Sequence, residues 1–148
     1  MRTPERIDNF LKLINLDKLA KRWWILPDLL KLNIYNEKVT KYWKENPDQR
    51  IGQVLINLQL IPNNFSIWND EEDEILINQG IPPEKYLFWT SLFDKNGNTL
   101  KEPITKLIED LDATHIHNIL TSKLLHLSDI QKKAFNNELK TKNENMDN

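Results

Sequence analysis

The spacing of the three histidines tests for a metal site. His115 and His117 are two residues apart, and His126 lies further along the chain. Two histidines bind one metal ion from a helix face at spacings of three or four residues, whereas a spacing of two separates them by about 200°. The sequence therefore predicts no zinc site, and we expect His115 to contact Asp112 at the start of its helix.

Five consecutive carboxylates occupy residues 70–74, with the sequence Asp-Glu-Glu-Asp-Glu. Such a run can hold a divalent cation through oxygen ligands, or mimic the phosphates of a nucleic acid. It can also begin a helix, because acidic side chains favour the positive end of the helix dipole. Helix-start chemistry accounts for all five carboxylates, so we predict a helix capped by Asn69 or Asp70 and ended by Gly80.

The segment from Asp94 to Asn98 is spaced like the beginning of a calcium loop. An EF-hand loop needs Gly at its sixth position and Glu at its twelfth, and Thr99 and Thr105 stand there instead. The Asn96-Gly97 pair is typical of a hairpin turn. We therefore predict no calcium site here, and a β-hairpin whose first strand lies within residues 84–93.

Other catalytic constellations are missing from the sequence. There is no cysteine and there are only three glycines, which excludes a thiolate site and a glycine-rich phosphate loop. No serine lies in a nucleophile motif. We predict a protein without enzymatic activity, metal or other cofactor.

Two adjacent tryptophans follow the basic pair Lys21-Arg22. Neighbouring side chains point in different directions, so one of Trp23 and Trp24 can pack while the other is exposed, or both can be buried. An exposed indole beside Lys21 and Arg22 would suit a protein-binding hot spot or a platform for stacking bases. Lys21, Arg22 and Trp24 are therefore candidate partner-binding residues.

A second candidate surface belongs to a helix predicted at residues 48–59. Four apolar residues form one helical stripe facing a core, and a polar stripe runs beside them. Asp48 is the predicted cap, and the Asn46-Pro47 break before it should bury Trp43 between two helices. The polar stripe and the preceding helix supply the candidate partner-binding residues Lys41, Lys44, Arg50, Gln53 and Asn57.

The remaining patterns predict a mainly α fold with a small β-hairpin, of the α+β class, built from about six short helices. We expect a helical region at 1–82, a hairpin with packed C-terminal helices at 83–140, and a disordered tail at 141–148. The predicted helix caps are Thr3, Asp17, Asn36, Asp112 and Ser128. We predict an extended segment at residues 65–68 and a helix at residues 103–111. A further helix, beginning at residue 112, should bury Leu124 and Leu127. The last helix should bury Ile130, Ala134, Phe135 and Leu139.

Part of the chain resembles small uncharacterised phage and bacterial helical proteins. The resemblance rests on Trp43, on Asn46-Pro47-Asp48 followed by Arg50 and Gln53, and on the acidic residues 70–74. In those proteins a tryptophan precedes a "PDxRxxQ" helix, and an acidic turn opens the last helix. This chain carries an insertion at residues 16–35. The resemblance covers about half the chain and implies a gene carried on mobile elements.

Charge is distributed unevenly along the sequence. Residues 1–68 contain 11 Lys and Arg and 7 Asp and Glu, whereas residues 69–148 contain 9 and 15. Such an asymmetry can steer association with a charged partner, although a charged run is usually a solvated face. The sequence has no apolar run long enough for a membrane span and no signal-peptide pattern, so we predict a cytoplasmic protein of a bacterial host.

Two functions remain open at this point. The first is a non-enzymatic, protein-binding accessory protein encoded by a phage or prophage. It would be an inhibitor of the anti-CRISPR type, and it would bind a host defence nuclease that is itself a protein or a ribonucleoprotein. The alternative is a small nucleic-acid-binding adaptor or regulator, in which Lys41, Lys44 and Arg50 contact phosphate while Gln53 or Asn57 reads bases. The negative net charge disfavours the alternative.

Overall fold

The computed structural model describes residues 2–94 and 96–146. It is mainly helical with one two-stranded antiparallel sheet, which confirms the predicted α+β class. The described residues form nine α-helices rather than about six, because several predicted loops are short helices. The chain divides into two compact units, Met1–Ile81 (unit 1) and Pro82–Asn148 (unit 2).

Unit 1 consists of seven helices packed around a shared set of apolar side chains. They are α1 (Pro4–Leu13), α2 (Leu16–Trp23), α3 (Pro27–Ile34), α4 (Glu37–Glu45), α5 (Ile51–Asn57), α6 (Phe65–Asn69) and α7 (Glu72–Asn78). Each of α1 to α4 buries residues three or four positions apart, the periodicity of a helix with one face on a core. Burial of this face stabilises helices that are too short to persist alone.

Local side-chain hydrogen bonds begin several of these helices. Thr3 Oγ1 accepts from the backbone N–H of Arg6 at 3.2 Å, and Asn36 Oδ1 accepts from Lys38 N at 2.9 Å, which confirms both predicted caps. The cap predicted at Asp17 is wrong. Asn15 Oδ1 accepts from Lys18 N at 3.0 Å instead, so α2 begins before Asp17.

The corner between α4 and α5 is built around Trp43, whose predicted burial is confirmed. Its Nε1–H donates to the Gln49 carbonyl at 2.8 Å, and its ring meets that of Phe10 edge-on at 5.7 Å. Asp48 is not the cap of α5. The helix begins two residues later, where the Gln53 side chain accepts from Arg50 N at 2.9 Å, and α5 is shorter than the predicted 48–59.

Helices α5 and α6 approach so closely that only glycine fits between them. A Cβ atom on Gly52 would lie 2.0 Å from the carbonyl oxygen of Ile67, well inside the van der Waals limit. The extended conformation predicted for residues 65–68 is wrong, because this segment forms α6. Alternation over four residues does not distinguish a strand from one helical turn.

Unit 2 contains a hairpin and two helices. Its elements are a 3-10 turn (Pro83–Lys85), β1 (Phe88–Phe93), β2 (Thr99–Leu107), a second 3-10 turn (Ile108–Asp110), α8 (Ala113–Thr121) and α9 (Asp129–Met146). Its buried core is formed by Ile108, Leu111, Ile116, Ile119, Ala134 and Phe135. The indole of Trp89 on β1 meets the ring of Phe135 on α9 edge-on at 5.3 Å, so one face of the hairpin packs on helices.

Asp94 organises the turn of the hairpin. Its Oδ1 accepts from the backbone N–H groups of Asn96 and Asn98, both at 2.9 Å, and the Asn98 bond in particular holds the pKa of Asp94 below its ordinary value. Gly97 has a positive φ of 85°, as the predicted turn requires. The helix predicted at 103–111 is wrong, because β2 continues to Leu107 through an irregular register that accommodates Pro103.

The two last helices begin as predicted but end elsewhere. Asp112 Oδ1 accepts from His115 N at 2.8 Å, and Ser128 and Gln131 form reciprocal bonds at 3.2 and 2.9 Å. Helix α8 ends at Thr121, so the predicted burial of Leu124 is wrong and its side chain is 90% exposed.

Helix α9 runs further than the sequence suggested. It continues to Met146, into the segment 141–148 that is predicted to be a disordered tail, and residues 147 and 148 lie outside the described range. Lys142 donates to the Glu109 carbonyl and to Glu138, which fixes this last part of the helix. Ile130 is exposed rather than buried. No helix in the described part of the chain is both long and apolar enough to cross a membrane.

Candidate functional site

The acidic run at 70–74 binds arginines of its own unit. Asp70 accepts two hydrogen bonds of 2.8 Å from the Arg22 guanidinium and a third of 2.7 Å from Trp23 Nε1. Asp73 pairs with Arg6 at 3.2 Å. A bidentate pair supported by an indole fixes all three side chains, so Arg22 is held against unit 1.

The centre of the run joins three distant segments. Arg2 binds Glu72 at 2.8 Å and Glu71 at 3.2 Å, and donates to the Pro47 carbonyl at 3.1 Å. Arg50 binds the other oxygen of Glu71 at 2.5 Å. These bonds tie the N-terminus and the α4–α5 corner to α7. The predicted cap at Asn69 or Asp70 is wrong, because α7 begins at Glu72 after Glu71, without a side-chain cap bond. Glu72, Asp73 and Glu74 lie in the first turn of α7, as the helix-start interpretation predicts, but four of the five carboxylates also form tertiary ion pairs.

Burial and hydrogen bonding shift the pKa of two of these carboxyls in opposite directions. Glu72 is 3% exposed, and burial raises its pKa although Arg2 opposes the shift. Its Oε1 is buried without a hydrogen-bond partner in the structure. Burial would also raise the pKa of Asp70, but the bonds from Arg22 and Trp23 outweigh it and hold that pKa below its ordinary value. The same pairing raises the pKa of Arg22.

The division into two units removes the charge asymmetry that the sequence showed between residues 1–68 and 69–148. Unit 1 includes the acidic run, so residues 1–81 contain 11 basic and 12 acidic side chains, and residues 82–148 contain 9 and 10. Each unit therefore has a formal charge of about −1 at neutral pH, with histidine neutral. Long-range electrostatic steering between oppositely charged halves does not follow from this division.

The polar side chains of the predicted stripe form hydrogen bonds within unit 1, although Asn57 is exposed. Arg50 binds Glu71, Gln53 Oε1 accepts from the backbone N–H of Arg50, and Asn57 Nδ2 donates to Gln49 Oε1 at 3.1 Å. Base readout by Gln53 or Asn57 would require these bonds to break. The role of Arg50, Gln53 and Asn57 in partner binding stays a prediction.

Lys41 and Lys44 lie on α4, on the side of unit 1 that also carries Tyr35. Lys44 pairs with Asp8 at 2.9 Å, whereas Lys41 is exposed. Both lysines line an open cavity of about 520 Å³ together with Tyr35, Glu37, Thr40 and Glu45. The two carboxylates balance the two lysines, so this surface lacks the excess positive charge of a phosphate-binding groove.

The adjacent tryptophans have opposite environments. Trp23 is 3% exposed and bonded to Asp70, whereas Trp24 is 95% exposed. A cavity of about 250 Å³ lies beside Trp24 and is lined by Arg22, Trp23, Asn64, Ile67 and Asp70. Lys21 is also exposed. The structure thus brings Lys21, Arg22 and Trp24 together at the end of α2.

Trp24 also has an unfavourable backbone conformation. It lies in the left-handed region with φ 56° and ψ 43° at the end of α2, and Ile25 N bonds the Ala20 carbonyl at 3.0 Å. This is the position where helices most often carry glycine, because a Cβ there costs about 1–2 kcal/mol. A residue that is both strained and fully exposed contributes little to stability, and such strain concentrates at functional positions.

Trp24 begins a segment of the chain that is rich in exposed apolar side chains. Five exposed large side chains fall within twelve residues, and we use the term Trp24 surface for this set: Trp24, Leu26, Leu29, Leu32 and Tyr35. On α3, Leu30 and Ile34 are buried, and Leu32 projects from the opposite side. The sequence pattern indicates only Trp24 of this set, because a run rich in leucine is usually interpreted as core.

A serine and a histidine meet in unit 2. Ser91 Oγ on β1 lies 3.3 Å from His115 Nε2 on α8. Asp112 bonds the backbone N–H of His115, which confirms the predicted contact and shows that the carboxylate serves as a helix cap. In the part of the chain that the structure describes, no group of three or more histidine and carboxylate side chains could hold a metal ion.

Comparison of the chain with protein families, with curated proteins and with solved structures finds no match.

Proposed function

We propose that the protein acts without catalysis, by binding another macromolecule through the Trp24 surface. The observation that carries this proposal is Trp24, a fully exposed indole held in a strained backbone conformation. Tryptophan and arginine are enriched among residues that dominate the energy of protein interfaces. Arg22 beside it is already ordered by Asp70, so little side-chain entropy is lost when a partner binds.

The partner that fits this surface is a protein. It would place an apolar pocket over Trp24 and the leucines of α3, and carboxylates beside the exposed Lys21. Five exposed apolar side chains in one segment offer apolar contacts to a partner, and exposed apolar patches are typical of interaction sites. The resemblance to phage and bacterial proteins makes a host nuclease effector in the bacterial cytoplasm the first partner to test, with the protein as its inhibitor.

Affinity capture from a bacterial lysate tests the proposal. The baits are the wild-type chain and the variants Trp24→Gly and Gln59→Gly. Trp24 and Gln59 are both exposed and both have a positive φ, so the two variants make the same backbone change. We expect one protein to be retained in stoichiometric amount by the wild type and by Gln59→Gly, and lost with Trp24→Gly. Equal retention by all three baits, or no retained protein, would contradict the proposal.

Nucleic acid is tested in parallel. An electrophoretic shift assay with DNA and RNA across a range of salt concentrations reports phosphate binding, because affinity that depends on phosphate contacts falls steeply with salt. We expect no shift. A salt-sensitive shift that is weakened by Lys41→Ala would favour the alternative function instead.

A further inference from the structure

Unit 2 contains a groove between its hairpin and α8. The groove has a volume of about 530 Å³, which is within the range of small-molecule sites in proteins. Ser91 on β1 and His115 on α8 both line it, and Ser91 Oγ lies 3.3 Å from His115 Nε2. Because Ser91 is small and only 7% exposed, this polar pair forms the base of the groove.

The walls of the groove are mainly apolar. Leu92, Phe93 and Leu125 line it and are exposed, so they offer contacts for an apolar ring or chain. The regular pairing of β1 with β2 ends at Ser91, so an extended peptide would find no continuous row of backbone groups here. Recognition in this groove therefore rests on side chains, which favours a small molecule over a peptide.

A second cavity adjoins the groove, and we term it the acidic recess. Its volume is about 210 Å³, and the residues that line both cavities are Ser91, Phe93, Asp94 and His115. The charged side chains that line the acidic recess are Asp94, Asp110, Asp112 and Lys106. Three carboxylates against one ammonium group give its described lining an excess of negative charge at neutral pH.

The carboxylates of the acidic recess keep their charge in the fold. Asp94 accepts hydrogen bonds from the backbone N–H groups of Asn96 and Asn98, and Asp112 accepts one from that of His115. Such bonds stabilise a carboxylate without neutralising it, and the Asn98 bond in particular holds the pKa of Asp94 below its ordinary value. An apolar groove beside a negatively charged recess complements a molecule with an apolar body and a cationic end.

An organic cation fits the acidic recess better than a bare metal ion does. Among the residues that the structure describes, no group of three or more histidine and carboxylate side chains could hold a metal ion, so these carboxylates do not converge on one point. A protonated amine needs fewer ligands, because a single carboxylate accepts a charge-assisted hydrogen bond from it at about 2.7–2.9 Å.

We propose that unit 2 binds a small organic amine, with its apolar ring or chain in the groove and its protonated nitrogen in the acidic recess. Ser91 and His115 lie where the two cavities meet, and they can exchange hydrogen bonds with a polar atom between the two ends of the ligand. This site is a different surface from the Trp24 surface, and the proposal does not depend on the binding of a protein there.

A fragment screen by NMR tests the site for any ring system. The library contains amines, neutral compounds and carboxylic acids in equal numbers, with matched rings. We expect the fragments that shift the backbone amide signals of Ser91, His115 and Ile119 to be mainly amines. No fragment in the groove, or a set of hits that is mainly neutral or acidic, would overturn the proposal. Signals of the groove that shift with protein concentration alone would assign it to a second copy of the chain, which would also overturn it.

Three probes that share one ring isolate the contribution of charge. They are naphthylethylamine, naphthylethanol and naphthylacetate, and their Kd values are measured by NMR titration. We expect the amine to bind about fivefold more tightly than the alcohol, because attraction to the carboxylates adds to the same apolar contacts. The acetate should bind most weakly, and the advantage of the amine should shrink as salt is added. Equal Kd values for the amine and the alcohol, or tighter binding of the acetate, would contradict the proposal.

A matched pair of variants tests the acidic recess. Asp110 is exposed and lines the recess, whereas Asp129 is exposed and lines neither cavity. We expect Asp110→Asn to weaken binding of naphthylethylamine about threefold and Asp129→Asn to leave it unchanged, since only the first removes a nearby charge. Naphthylethanol should bind both variants as it binds the wild type. The same amine affinity in both variants would show that the nitrogen does not lie in the recess.

A second matched pair tests the groove. Leu125 lines it, whereas the neighbouring Leu124 is 90% exposed and lines neither cavity. We expect Leu125→Ala to weaken all three probes about threefold and Leu124→Ala to have no effect, because only Leu125 is covered by the ring. Equal affinity of these two variants would contradict the placement of the apolar body. Circular dichroism confirms that each variant is folded before its affinity is compared.

Discussion

Replacement of Trp24 by glycine should raise the stability of the fold and lower its affinity for the partner. The side chain is 95% exposed, so its removal loses almost no buried area. Glycine relieves a left-handed strain of about 1–2 kcal/mol. It also adds about 0.5–1 kcal/mol of conformational entropy to the unfolded chain. We therefore expect Trp24→Gly to raise the free energy of unfolding by about 0.5–1 kcal/mol. For a chain of this size, each kcal/mol raises Tm by roughly 2–4 °C.

The effect on binding should have the opposite sign. Truncation of a tryptophan at the centre of an interface typically costs at least about 2 kcal/mol, or roughly thirtyfold in Kd. We expect the variant to bind the captured partner at least that much more weakly while its stability rises. A mutation that acted only by damaging the fold would lower both.

The matched control is Gln59→Gly. Gln59 is exposed, has φ 60° and follows α5, with Leu60 N bonded to the Leu55 carbonyl at 2.9 Å, as Ile25 N is bonded to Ala20 after α2. The same stabilisation is expected there without any change in binding. Urea unfolding followed by circular dichroism measures stability without using tryptophan fluorescence. A loss of stability in Trp24→Gly, or unchanged affinity for the partner, would contradict the expected gain in stability and loss of binding.

Three further outcomes follow from the fold of unit 1. Trp43→Ala should lower the free energy of unfolding by about 3–5 kcal/mol, because it leaves a cavity at a buried site. An unchanged urea midpoint would show that the ring does not belong to the core. Gly52→Ala should also destabilise, since its new Cβ would meet a backbone carbonyl at 2.0 Å, and wild-type stability would contradict that close approach. The pH dependence should differ between two carboxyls. The lowered pKa of Asp70 stabilises the fold above the ordinary carboxyl pKa and this contribution is lost in acid, so Asp70→Asn should fall further below wild type as pH rises from about 3 to 5. The raised pKa of Glu72 makes the fold lose stability as pH rises above about 4.5, so Glu72→Gln should gain relative to wild type towards pH 7. Parallel curves for these two variants would contradict the assigned shifts.

Local chemistry made some parts of the fold predictable from sequence. The caps at Thr3, Asn36 and Asp112 each involve a side chain and a backbone N–H within three residues, so their signal is contained in a short window. The Asn96-Gly97 turn is equally local. Trp43 was predictable because an apolar stripe and a proline break lie on either side of it.

The interactions that define the candidate site are not local. Arg2 and Glu72 are 70 positions apart, and Arg22 and Asp70 are 48 apart, so nothing in either neighbourhood indicates the pair. A helix-start pattern explained the carboxylates equally well without them. The strand through Pro103 was missed because a proline and an apolar period near four favour a helix, whereas pairing with β1 decides the conformation.

The exposure of Trp24 depends on backbone geometry that residue types do not reveal. A tryptophan in a left-handed C-terminal position contradicts the usual preference for glycine there, so the sequence could not distinguish it from Trp23. Its burial differs from that of Trp23 because α2 ends between the two residues.

Fluorine NMR of the protein labelled with 5-fluorotryptophan reports directly whether Trp24 lies in the interface with the partner. The chain has five tryptophans, and a Trp24→Phe variant identifies the signal of Trp24. On titration with the captured partner, we expect the Trp24 signal to shift and broaden, while the signals of the buried Trp23 and Trp43 keep their positions. A Trp24 signal that remains unchanged at saturating partner would contradict the assignment of this residue to the interface.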